Sequence, residues 1–168
     1  SMGLPIEHFI ASTNINDTVP NYLMSGIYKP KPSKATISNA MDVGNPSNFI
    51  RIQELFSNDI DTLKSAFSSY RFTDDETRAT MTKIYNNSRY VADPHGAVGY
   101  LGLKKHGLKE NEFGVFLETA HPVKFKDVVE ETLPVNVEIP EQIKKVINNT
   151  KVAIKASTYQ DLKAYLMK

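Results

Sequence analysis

The chain has 168 residues, 40% hydrophobic and 23% charged, with a net charge of +1. That size supports a real core, and the balanced charge gives no reason to expect a nucleic-acid or anionic-membrane partner. There is no cysteine, which excludes disulfides, thiolate nucleophiles and cysteine-based zinc sites. No apolar run nears the ~18 residues of a membrane span and no signal-peptide pattern opens the chain, so a cytoplasmic protein is expected.

Ser1-Met2 reads as a cleavage scar followed by an added start codon. Gly3 is then the first natural residue, and residues 3–168 are expected to form one domain of a protein that continues upstream. His8-Phe-Ile-Ala-Ser12 reads as a short buried strand that opens into the polar loop Thr13–Asp17. Asp17 is placed to cap a helix over 17–25. Tyr28-Lys-Pro-Lys-Pro-Ser33 is extended, because each proline disfavours helix at the residue before it. Residues 35–38 and 89–91 read as further short strands.

Helix starts carry clearer signals. Asn45-Pro46 offers a cap and a first-turn proline ahead of the apolar stripe Phe49, Ile52, Leu55 and Phe56. Thr73-Asp-Asp-Glu76 is a capping box for a helix holding Met81, Ile84 and Tyr85. Asp93-Pro94 starts another helix, which runs to His106-Gly107. Pro122, Pro140 and the box Ser157-Thr-Tyr-Gln160 start three more. Few strands among many helices predict an α/β fold with a small, mostly parallel sheet.

Three places can carry chemistry. The loop Asp42–Asn48 ends at a predicted helix N-terminus, where backbone N–H groups suit an anion. Asn45 and Ser47 are then candidates for a phosphate-bearing ligand, and a plain Asx-Pro cap is the other reading. Gly96, Gly99 and Gly102 recur along one helix, which points to close packing or to ligand approach. Phe113–Leu117 reads as a buried strand running straight into a polar turn before the helix at Pro122. Thr119, His121 and Lys124 fall at that strand end, where α/β enzymes place ligands. Alternatively, Thr119 caps the helix, while His121 and Lys124 are surface residues. His95 follows Pro94 and either reaches a pocket or lies on the surface. The histidines form no metal-ligand spacing, so no metal site is expected.

Five blocks extend this reading: Gly3–Ile6, Phe9–Pro20, Ser38–Phe49, Asp93–Tyr100 and Thr119–Phe125. In order and spacing they resemble threonine synthase, most closely its longer bacterial and fungal branch, with the likeness weakest beyond residue 134. The resemblance implies a pyridoxal 5'-phosphate (PLP) enzyme of fold type II, the tryptophan-synthase-β-like group. The chain would be a helix-rich, three-layer fragment of its large domain. The implied reaction is a lyase-type conversion of O-phospho-L-homoserine and water to L-threonine and phosphate, in threonine biosynthesis. In that family a lysine bonds the cofactor as a Schiff base, a Gly/Asn-rich loop holds its phosphate, and a hydroxyl residue meets its ring nitrogen. Only the last maps here, onto Thr119. The lysine and the loop lie upstream in the family, so no catalytic residue is expected on this chain. It should need its own N-terminal part and be inactive alone. A reading from another class is a free-standing, non-catalytic module that binds a small anion or a partner protein.

Overall fold

The computed structural model describes residues 3–167; Ser1 and Met2, read above as a scar and start codon, lie outside them. Where one domain was expected, two compact units form, one ending at Val137 and the other starting at Glu138.

The first unit is built on two parallel strands, β1 (Phe9–Thr13) and β2 (Phe67–Arg71), with Phe9 opposite Phe67 and Thr13 opposite Arg71. The crossover between them holds α1 (Thr18–Ser25), a 3-10 turn (Asn39–Met41), α2 (Phe49–Leu55) and α3 (Ile60–Ala66). After β2 come α4 (Asp74–Ser88), α5 (Pro94–His106), a second 3-10 turn (Pro122–Phe125) and α6 (Lys126–Thr132). Two apolar clusters hold the unit together. Tyr22, Phe49, Leu63 and Phe67 join α1, α2, α3 and β2. Met81, Ala97, Phe125, Val129 and Leu133 join α4, α5 and α6. The second unit holds α7 (Glu141–Lys144) and α8 (Tyr159–Leu166).

The capping signals hold closely. Thr73 and Glu76 form the expected box. The box at α8 is shifted by one residue, to Thr158 and Asp161. Asp17 precedes α1 without capping it, because its carboxylate is taken by Lys31 at 3.0 Å and Arg71 at 3.4 Å. Asn45 does not cap a helix either, since α2 starts only at Phe49 and Asn45 Oδ1 accepts from the Tyr28 hydroxyl.

The strands differ more. β2 and α3 carry weak patterns: Phe67-Ser-Ser-Tyr-Arg has little apolar alternation, and its pairing with β1 is decided by long-range backbone bonding. For α3 the signal was present, since the Asp59 carboxylate caps it by accepting from Asp61 and Thr62 N–H. Residues 35–38 are not a strand. Side chains replace the ladder: Lys34 N–H donates to Asn16 Oδ1 and Thr36 N–H to Asp42 Oδ2. Residues 89–91 are not a strand because Arg89 takes a left-handed turn, φ 59°, that closes α4. Residues 113–118 run with alternating exposure but pair with no strand among the described residues. Gly114, Phe116 and Glu118 turn toward α5, where Phe116 meets the Tyr100 ring edge-to-face at 5.6 Å. Phe113, Val115 and Leu117 face outward, 98%, 81% and 72% exposed. The segment expected to be buried is thus buried on one face only.

The glycines of α5 make close packing the right reading. A Cβ on Gly102 would lie 1.7 Å from Ser12 Oγ on β1. A Cβ on Gly96 would lie 1.9 Å from Glu118 Oε1. These contacts bring β1 and the 113–118 segment down onto one helix.

Candidate functional site

Two buried polar clusters sit beside the C-terminal end of β1 and the N-terminus of α5. The first gathers around Asn14, which is fully buried at the end of β1. Its amide nitrogen reaches Thr36 Oγ1 at 2.8 Å, Asp42 Oδ1 at 2.9 Å and Ser38 Oγ at 3.1 Å. Its amide oxygen accepts from Asn16 N–H. Asp42 is the hub, accepting from Asn16 Nδ2, Thr36 Oγ1 and Thr36 N–H as well. This cluster fixes the shape of the 34–44 loop through side chains rather than through a strand ladder. Gly44 completes it: the Gly44 carbonyl accepts from Thr18 Oγ1, and a Cβ there would lie 1.8 Å from the Lys31 carbonyl oxygen.

The second cluster starts from Asp93, the cap of α5, whose side chain is wholly buried. Asp93 Oδ1 accepts from His95 N–H at 2.7 Å and lies 2.8 Å from His95 Nδ1. On the far side of the ring, His95 Nε2 accepts from Ala40 N–H at 3.1 Å. Nε2 therefore carries no proton, and Nδ1–H is the donor to Asp93. The ring also packs on Phe125, centroids 4.4 Å apart. His95 is thus a buried residue and not a surface one. Glu118 meets Asp93 from the extended segment, over the bare Cα of Gly96. Burial, and then the contact with Asp93, push the Glu118 carboxyl up to about 8. Asp93 goes the other way. Burial acts to raise it, but its hydrogen bonds from His95 and Glu118 outweigh that and hold it below the usual carboxylate range. Nearby Tyr90 is pushed up by burial and by the charges of Glu118 and Asp93.

The candidates read from the sequence fall around these clusters. Thr119 directly follows Glu118 and is exposed, and its hydroxyl has no hydrogen-bond partner among the described residues. It does not cap the turn at Pro122. His121 does, with Nδ1 accepting from Val123 N–H at 3.1 Å. Lys124 is exposed, its ammonium 5.5 Å from the centre of the Phe125 ring. Lys126 is half-buried, and its ammonium bonds Glu130, Asn136 and the Val137 carbonyl. Asn45 and Ser47 are exposed on the 42–48 loop, which runs through Asn48 into the N-terminus of α2 at Phe49. Asp93 was legible only as a cap. The missed partner, Glu118, left one signal: a carboxylate ending an otherwise apolar run. Among the described residues no group of His, Asp and Glu is arranged to hold a metal ion. No helix among them is long and apolar enough to cross a membrane.

Comparison with known proteins places this geometry. Residues 96–165 match the family described as "Threonine synthase, C-terminal". The threonine synthase of Haemophilus influenzae is 43% identical over 172 residues, covering 100% of this chain and 39% of that protein. The crystal structure of threonine synthase from Escherichia coli superposes with a TM-score of 0.83 at 38% identity, covering 99% of this chain and 38% of that one. A PLP-bound threonine synthase from Brucella melitensis gives 0.75 at 28% identity, over 98% of this chain and 41% of that one. These similarities define the chain as a mixed α/β segment of the kind found in longer enzymes. It belongs to the threonine synthase family and corresponds to its C-terminal region. The chain spans about two-fifths of the length of these relatives.

Proposed function

We propose that the chain forms the ring-nitrogen side of a pyridoxal-phosphate site in a threonine synthase that makes L-threonine and phosphate from O-phospho-L-homoserine and water. Thr119 is the residue that meets the cofactor. The observation that carries this is its free hydroxyl. It stands exposed at the end of an extended segment, while the capping role that would otherwise explain it belongs to His121. Likeness to a PLP-bound threonine synthase supports the choice of cofactor.

When bound, the cofactor supplies an electron sink. A threonine hydroxyl suits its ring nitrogen because it donates a hydrogen bond without adding charge, leaving that nitrogen unprotonated. A carboxylate in the same place would favour a protonated ring. Asn45 and Ser47 present exposed polar groups on the loop that runs into α2 and are candidates to bind the substrate phosphate. His121 supports the turn after Thr119, and Lys124 is the nearest exposed cation in sequence. The outward face of Phe113, Val115 and Leu117 fits a strand of a three-layer, fold type II large domain, covered by the polypeptide's own N-terminal part. No residue of this chain matches the family's cofactor-bonding lysine, so the chain is expected to be inactive by itself.

The test is a Thr119 series in the full-length enzyme, read by kcat, cofactor affinity and thermal stability. Thr119→Ser keeps the donor and should retain most activity. Thr119→Val leaves the ring nitrogen without its donor, a loss of ~1–3 kcal/mol, or roughly 5- to 150-fold. Thr119→Asp should be worse than Val. A Val variant with wild-type kcat and cofactor affinity would overturn the assignment.

A further inference from the structure

Asp93 Oδ2 and Glu118 Oε1 are both buried, and neither has a hydrogen-bond donor among the described residues. They belong to carboxyl groups in direct contact. Two ionised carboxylates in that arrangement would repel each other and leave both oxygens desolvated. No Lys or Arg among the described residues pairs with either group. The titratable groups around the contact are Asp93 and His95 of α5, Tyr90 ahead of that helix, and Glu118 itself. None of the first three can donate to Glu118 Oε1 as placed: Asp93 is an acceptor, the His95 Nδ1 proton is used on Asp93 Oδ1, and Tyr90 forms no side-chain hydrogen bond there. A single proton on Glu118 satisfies both stranded oxygens at once.

We propose that Glu118 is kept as a neutral acid that donates to Asp93 Oδ2, and that this bond makes it the positioning residue for Thr119. The donors then converge on Asp93 from two sides. Ala40 N–H donates to His95 Nε2, His95 Nδ1–H to Asp93 Oδ1, and Glu118 Oε1–H to Asp93 Oδ2. The relay ties the Asn39–Met41 turn to the segment that ends in Thr119. Its geometry depends on Gly96, since any Cβ there would occupy the carboxyl group's place. Because Thr119 is the next residue, losing the bond frees the end of its segment, and raising pH through the titration of Glu118 should do the same. The positioning role rests on the reading of Thr119 as the cofactor contact. The shared proton does not.

The proton is tested on the chain itself, without cofactor. With the glutamate carboxyl carbons labelled, one signal, identified by its absence in Glu118→Gln, should titrate near 8 in nuclear magnetic resonance. A midpoint in the ordinary carboxylate range overturns the proposal. His95 should show the Nδ1–H tautomer, and an Nε2–H tautomer also overturns it. Positioning is read by backbone nuclear magnetic resonance order parameters over residues 117–120. They should fall to about 0.6 or below in Glu118→Ala, and should drop above pH 8 in the wild type. They should return to the wild-type level in Glu118→Gln, which keeps a donor. Unchanged order parameters in Glu118→Ala overturn the positioning role. In full-length enzyme, Glu118→Ala should weaken cofactor binding about tenfold, with rescue by Glu118→Gln. If the chain passes these readouts while Thr119→Val leaves cofactor binding untouched, the reading of Thr119 fails and the shared proton stands.

Discussion

The two buried polar clusters beside β1 and α5 are built from similar residues and solve different problems. Around Asn14 and Asp42, the amides, hydroxyls and carboxylate find partners within the cluster. Around Asp93 and Glu118, two carboxylate oxygens have none. The first cluster balances donors against one carboxylate, so it holds a loop in shape at any pH where that carboxylate is ionised. The second has one acceptor too many and needs a proton to close. A satisfied network is scaffolding; an unbalanced one beside a candidate site can respond to its surroundings.

The comparison can be broken first at Asp42. Asp42→Ala leaves the Thr36 N–H without its acceptor, takes an acceptor from Asn14, Asn16 and the Thr36 hydroxyl, and should destabilise the fold by about 3 kcal/mol, read by denaturant unfolding. Glu118→Gln should by contrast cost almost nothing at neutral pH. An equal loss in both variants would erase the distinction between the clusters.

Gly96→Ala comes next. Its methyl group would displace the Glu118 carboxyl, an overpacking cost of about 1–3 kcal/mol. The double variant Gly96→Ala, Glu118→Ala should recover part of it, and a cycle showing full additivity would mean the two residues do not share that space.

The pH dependence sharpens the contrast. The Glu118 carboxyl titrates near 8 in the fold against an ordinary 4.5. The folded chain therefore keeps a proton that the unfolded chain has lost. Stability from this group is full below about 4.5, declines as pH rises toward 8, and is flat beyond. Asp93, held low, contributes with the opposite sign and only at pH below that window. Thermal melts from pH 5 to 9 should show the decline in wild type and lose it in Glu118→Gln.

The smallest effect is expected on the exposed face. Val115→Lys should change the chain's own stability by less than about 0.5 kcal/mol, because that side chain is 81% exposed. The same change should weaken association with a separately supplied N-terminal part, measured by titration calorimetry. Unaltered association would argue against that face as the covered one.

Local chemistry was legible in the residues alone. Capping boxes, Asx-Pro starts and apolar stripes act within one turn of helix, and they located α4, α5 and α8 to within a residue or two. Five ordered blocks carried the family, because their spacing reflects the whole chain. Strands were another matter. Phe67–Arg71 became a strand through backbone bonds to residues about sixty positions away, and residues 35–38 lost theirs to side chains on another segment. Thr119 could be singled out from sequence, but not freed of its capping alternative until His121 was seen in that role. The Asp93–Glu118 contact was beyond reach for the same reason. A carboxylate's charge depends on what is buried against it, and only the packing of 113–118 over Gly96 brings those two side chains together.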